Sequence, residues 1–209
     1  MDEDILKEVE AYYTEKVKSF GSTPKGVDWN GVDSQVLRFK QLLKILSEGK
    51  NNFSILDYGC GYGALLEHLN KEYKDFQYTG FDISEEMIQE ARKLPYGATA
   101  QWISKKELLK PCDFVVASGI FNVKQNKSDE HWLQYIIDTL GHVNQLSTKG
   151  FSFNILTKYS DAEYKKAYLY YADPAMIFDY CKTHFSKSVA LLHDYELYEF
   201  TILVRKNVL

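Results

Sequence analysis

The chain reads as an α/β protein built on a mostly parallel sheet with one antiparallel strand. Three observations carry this expectation. The apolar pair Ile55-Leu56 runs into Asp57 and then into the alternating glycines Gly59, Gly61 and Gly63, the pattern of a first strand turning tightly into a helix. Strand-like apolar runs then alternate with helix-period segments as far as Phe185. Two further strand-like runs, Ser188 to Leu192 and Tyr198 to Arg205, are joined by a short polar turn and read as a hairpin.

Taken in order, Asp4 to about Phe20 predicts a helix, stopped by Gly21-Ser22-Thr23-Pro24. A loop through Gly26 and Gly31 leads to a second helix, expected to be capped by Asp33 or Ser34 and to bury Val36, Leu37, Leu42, Leu43 and Leu46. After the first strand, Ala64, Leu65, Leu66 and Leu69 suit a buried crossover helix. Phe76 to Phe81 is the second strand. Ser84 caps the next helix, with Glu85 and Glu86 in its first turn, where the helix dipole favours acids. A short third strand is expected near Thr99 to Ile103, and Asp113 opens a fourth, Phe114 to Ser118, apolar enough to be covered on both faces. A helix from about Asp129 to Leu146 shows Trp132, Tyr135, Ile136, Leu140 and Val143 on one face. Lys149-Gly150 breaks the pattern before a fifth strand, Phe151 to Leu156, and Asp173-Pro174 starts a helix that runs to about Phe185.

With 209 residues, the chain is expected to form one domain, 1–209, with residues 1–50 as a helical cap and 51–209 as the core. A net charge of -4 gives no reason to expect nucleic acid or an anionic membrane as partner. Cys60, Cys112 and Cys181 have no metal-ligand spacing, so no metal is expected and reduced thiols in a cytoplasmic protein fit best. The acidic start Met1-Asp2-Glu3-Asp4 lacks a signal-peptide pattern, and no apolar run approaches the ~18 residues of a membrane span. The oligomeric state is left open.

The glycines point to a backbone that must approach a ligand closely. Asp57 sets the sign of that ligand, because a carboxylate there repels a pyrophosphate and attracts a cation. The segment Ile55 to Leu66, with Phe81-Asp82-Ile83-Ser84 downstream, resembles the first two motifs of class I S-adenosylmethionine (SAM)-dependent methyltransferases. The resemblance extends from about Phe53 to Arg205. It implies a Rossmann-like three-layer sandwich with a seven-stranded sheet, its last strand inserted antiparallel, and N-terminal helices that close over the cofactor. It also implies SAM as cofactor and S-adenosylhomocysteine (SAH) as product. Gly59, Gly61 and Gly63 would then wrap the methionine end, with Asp57 near its ammonium. Asp82, about twenty residues past Gly63, would accept the ribose hydroxyls. Ile83 and Met87 would sandwich the adenine, Trp102 and Ile103 would meet its edge, and Ser118 and Gly119 would lie under the sulfonium. Ser104 stands where the family commonly has an aspartate. Arg38 is a candidate grip on the SAM carboxylate, weighed against a solvated helix charge.

The expected function is methyl transfer to an oxygen or nitrogen of a small molecule, such as a sugar or a phosphonate-like compound. His193, in the hairpin turn, and His131, in the first turn of a helix, are the candidate general bases; a surface turn reads equally well for His193, and a solvated helix start reads better for His131. Trp29, Phe121, Asn122, Tyr159, Tyr168 and Tyr171 are candidate walls of an acceptor pocket, with Tyr164, Tyr168 and Tyr171 at helical spacing. The Asn-Pro-Pro-aromatic run of nucleic-acid methylation is absent after the fourth strand. Two alternatives remain at this stage. One is an NAD-dependent oxidoreductase, because Gly59-x-Gly61-x-x-Ala64 matches the dinucleotide fingerprint while Asp57 opposes it. The other is a non-catalytic SAM-binding partner or regulatory protein.

Overall fold

The computed structural model describes residues 3–27, 31–46, 51–97 and 100–206. Its strands are β1 (Phe53–Tyr58), β2 (Phe76–Phe81), β3 (Gln101–Ile103), β4 (Cys112–Ala117), β5 (Ser147–Leu156), β6 (Ser188–Leu192) and β7 (Glu199–Arg205). Its helices are α1 (Glu3–Phe20), α2 (Val32–Leu43), α3 (Ala64–Glu72), α4 (Glu85–Arg92), α5 (Asp129–Leu146) and α6 (Pro174–His184). The strands form one sheet in the order β3-β2-β1-β4-β5-β7-β6. Strands β1 to β5 pair in parallel, and β7 is antiparallel to both of its neighbours. Chain order reverses between β1 and β4, which opens a crevice at their carboxyl ends.

Side-chain alternation along the central strands builds the three layers. Phe53 and Ile55 of β1, with Phe114 and Val116 of β4, face Phe39 and Leu43 of α2 and Leu65, Leu66 and Leu69 of α3. Leu56 and Tyr58, with Val115 and Ala117, face the opposite layer, where Trp132, Ile136, Leu140 and Val143 of α5 pack with Ile5 and Val9 of α1. Burial on both faces is why these strands are continuously apolar.

The expected caps of two helices are present. Ser84 accepts from Met87 N at 3.3 Å, and Asp173 accepts from Ala175 N at 3.0 Å with Pro174 in the first turn. Helix α2 departs from expectation. Gly31 precedes it without a side-chain cap, and Ser34 Oγ instead donates to the Gly31 carbonyl at 2.9 Å. The helix also turns Gln35, Arg38, Phe39 and Leu42 inward and leaves Val36 and Leu37 half-buried. Strand β5 starts four residues before the expected Phe151, because Gly150 lies inside the strand, where an added Cβ would sit 2.5 Å from the Val204 carbonyl oxygen. Strand β3 is seen from Gln101, and Thr99 lies outside the described residues.

Candidate functional site

The turn between β1 and α3 is shaped by its glycines. Gly59, Gly61 and Gly63 hold φ of 84°, 52° and 86°, the left-handed region that side chains disfavour. Gly59 N and Cys60 N donate to the Phe81 carbonyl at 2.7 and 2.8 Å, which ties the turn to the end of β2. An added Cβ at Gly59 would lie 2.2 Å from Ile120 Cγ2, and one at Gly61 would lie 2.8 Å from Val27 Cγ1. Both glycines line a cavity at the strand ends; Gly63 does not, and its bare Cα accommodates the Trp102 ring instead.

That cavity contains two buried carboxylates. Asp82 accepts from Gly61 N and from Ser84 N, each at 2.9 Å, and Asp57 accepts from the Tyr78 hydroxyl at 2.8 Å. Burial pushes the Asp57 carboxyl up to about 7, with the Tyr78 hydrogen bond pulling it back and the Asp82 charge adding to the rise. Burial likewise lifts Asp82 to about 6, opposed by the two backbone donors. No lysine, arginine or histidine is among the described residues lining this cavity. Ile83, Met87, Ser118 and Gly119 also line it, and the Ser118 Oγ is buried without a hydrogen-bond partner. Gly119 N is anchored on Asn154 Oδ1 at 2.7 Å.

The cavity is narrow, about 90 Å³, because α1 lays Leu6, Val9 and Tyr13 over it. Polar contacts hold α1 down on α4: Thr14 Oγ1 to Ser84 Oγ at 2.7 Å and Lys18 Nζ to Glu86 at 3.1 Å. The Lys18 pair is exposed and contributes ~0–1 kcal/mol.

A second cavity of about 880 Å³ adjoins the first, and Tyr13, Val27 and Gly119 line both. The expected wall residues Asn122, Tyr168 and Tyr171 line it. Trp29 lies outside the described residues. Phe121 is a core residue packed edge-on against Phe153, and Tyr159 is 66% exposed beside His193 rather than at the cavity wall.

Several other residues stand apart from their expected places. Arg38 is neither a solvated charge nor a lining residue of the first cavity: its Nε sits 2.7 Å from Glu199 Oε1, both side chains buried, at the second cavity. Trp102 and Ile103 do not line the first cavity. Trp102 packs against Gly63, Gly80 and Tyr78 and donates to the Gly97 carbonyl at 2.8 Å, while Ile103 joins the core. His131 and His193 are exposed and line neither cavity, since one sits on the outer first turn of α5 and the other in the β6–β7 turn. Tyr13, Tyr195 and Glu199 were not singled out from the sequence. Strand β7 is buried along its length up to Val204, so Glu199 is enclosed although its alternation with Phe200 and Ile202 would place it on a polar face.

A seven-stranded Rossmann-like sheet with its crevice at the β1/β4 reversal, lined by two acids, defines a cofactor-binding α/β protein. The model of a family described as methyltransferase domain matches residues 55–141. A Mycobacterium tuberculosis protein named "Putative methyltransferase Rv1506c" is 53% identical over 155 residues, which are 74% of this chain and 93% of that protein. The chain belongs to this methyltransferase family. Among solved structures, the magnesium protoporphyrin IX methyltransferase ChlM from Synechocystis PCC 6803, with bound SAM, superposes with a TM-score of 0.65 at 18% identity, over 95% of this chain and 97% of that one. The plantazolicin methyltransferase BpumL, in complex with a monoazolic desmethylPZN analog and SAH, gives 0.60 at 17% identity, over 98% and 99%. Both share the fold.

Proposed function

We propose that this methyltransferase draws its methyl group from SAM held in the first cavity, and passes it to an oxygen or nitrogen of a small molecule held in the second. The observation that carries the reading is the pair of buried acids, Asp57 and Asp82, in a cavity with no cation among the described residues that line it. SAM bears a sulfonium and an ammonium against one carboxylate, so it supplies the charge that such a cavity lacks. When bound, it supplies a methyl group already activated by the sulfonium.

The residues present fit that group. Asp82 uses one lone pair of each oxygen on Gly61 N and Ser84 N, which leaves acceptor capacity for ribose hydroxyls. Gly59 and Gly61 keep a wall free of Cβ atoms, Ile83 and Met87 supply apolar faces, and the buried Ser118 Oγ awaits a polar partner. Helix α1 covers this cavity, and a ligand of this size requires it to yield, since about 90 Å³ is far below the ~300 Å³ of a small-ligand cleft. The acceptor then reaches the methyl group where Tyr13 and Gly119 border both cavities. With His131 and His193 outside both cavities, rate enhancement comes from alignment and exclusion of water, which in model reactions supplies ~7–11 kcal/mol.

Calorimetric titration with SAM, SAH and NAD tests the reading. SAM and SAH are expected to bind and NAD to show no heat; NAD binding without SAH binding would overturn it.

A further inference from the structure

We propose, resting on the methyl-transfer reading above, that the second cavity takes a neutral, hydroxyl-bearing ring compound of the glycoside class. Its charge comes first. Arg38 at the wall is matched by the buried Glu199 at 2.7 Å, and Glu199 Oε1 also accepts from Asn154 Nδ2 at 3.2 Å. Lys166 and Glu196 are the other charged residues among those lining it, one of each sign. With Glu199 counted, the described charges at this cavity sum to zero, so neither an anionic nor a cationic acceptor meets a net opposite charge.

Shape comes second. Three of the lining tyrosines have their hydroxyls engaged by the protein. Tyr171 accepts from Lys166 N at 2.9 Å, Tyr195 shares a bond with Thr201 at 2.8 Å, and Tyr198 donates to Asp161. Their rings are thereby held in place along the lining, flat apolar area of the kind on which the C–H face of a saturated ring stacks. Donors come third. Asn122 is held by Leu156 N on its side-chain oxygen at 3.1 Å and by Tyr170 N on its carbonyl at 2.8 Å. Its amide N–H groups are left for a ligand hydroxyl. Flat faces alternating with fixed polar groups, at no net charge, match a polyhydroxylated ring better than a phenol, which uses the faces and wastes the donors.

The full chain is titrated with SAH, and then, at saturating SAH, with methyl glucoside, methyl glucuronide and methyl glucosaminide. These probes share a ring and differ in charge; calorimetry and saturation-transfer NMR provide the readouts. The glucoside is expected to bind roughly tenfold tighter than either charged probe. Glu199→Gln exposes the Arg38 charge and is expected to turn the preference toward the glucuronide. Tyr168→Ala, at a ring 45% exposed and therefore safe for folding, is expected to weaken the glucoside by roughly threefold to tenfold with SAH affinity unchanged. Absence of SAH binding overturns both readings. SAH binding with no glycoside binding, with a charged probe preferred, or with Tyr168→Ala silent overturns the acceptor class alone.

Discussion

Replacing Asp57 by asparagine keeps the shape of the side chain and an oxygen for the Tyr78 hydroxyl, and removes the charge. In the ligand-free protein, the Asp57 carboxyl is displaced from the ordinary 3.8 to about 7, with burial as the main cause. At ~1.4 kcal/mol per pH unit, that displacement corresponds to ~4 kcal/mol. The folded state holds the proton more tightly than the unfolded state, so Asp57 contributes stability that is complete below pH 4 and lost as pH rises through about 7. Asp57→Asn has no such loss. Relative to the parent, it is expected to gain ~4 kcal/mol between pH 4 and pH 8, which for a chain of this size is a rise in Tm of ~8–16 °C. The same variant is expected to lose the extra stability that saturating SAM confers on the parent. Urea unfolding at several pH values, with and without SAM, reads both effects. Parallel stability-versus-pH curves for parent and variant would refute the account of the buried charge.

Four other outcomes follow from the same geometry. SAM binding fixes the ionised forms of Asp57 and Asp82, so affinity is expected to rise with pH across about 6 to 7, with proton release detected by calorimetry in two buffers of different ionisation enthalpy. Asp82→Ala removes charge-assisted acceptors and is expected to weaken SAH by ~30-fold or more, at ~1.5–3 kcal/mol per lost bond; unchanged affinity counts against the ribose role. Gly59→Ala places a methyl group 2.2 Å from Ile120 Cγ2 at a φ of 84°, and is expected to cost ~1–2 kcal/mol or more of stability, read as a lowered Tm. His131→Ala and His193→Ala, at exposed positions outside both cavities, are expected to keep parental turnover once an acceptor is in hand; a drop beyond tenfold in either would place a general base there.

The sheet and the first cavity were legible because their signals are local. Alternation along Phe53 to Tyr58 and Phe114 to Ala117, the glycine turn, and the acids that end β1 and follow β2 each depend on a few adjacent residues. The second cavity was less legible because its parts meet only in three dimensions. Arg38 looked like a surface charge on an amphipathic helix, and only the placement of β7 beside α2 brings Glu199 to it. The spacing of Tyr164, Tyr168 and Tyr171 suggested a helix, yet the segment makes only the short 3-10 turn Ala162–Tyr164 and a second turn closed by Leu169 N on the Lys166 carbonyl. Bridges from Leu169 to Val123 and from Ala172 to Thr157 hold it against the strand ends. Trp102 ends its strand as expected, but the ring is drawn away from the cavity by the space that Gly63 and Gly80 leave open.

Strand β7 is the last of the seven along the chain, yet it lies inside the sheet, bonded to β5 on one edge and to β6 on the other. In folding, β6 therefore has no ladder to join until that later segment slides between it and β5. Residue 199 arrives on that same late segment. Its contact with the guanidinium at residue 38 forms only when that insertion is made. The outer part of the sheet and the wall of the larger cavity are thus completed in a single folding event.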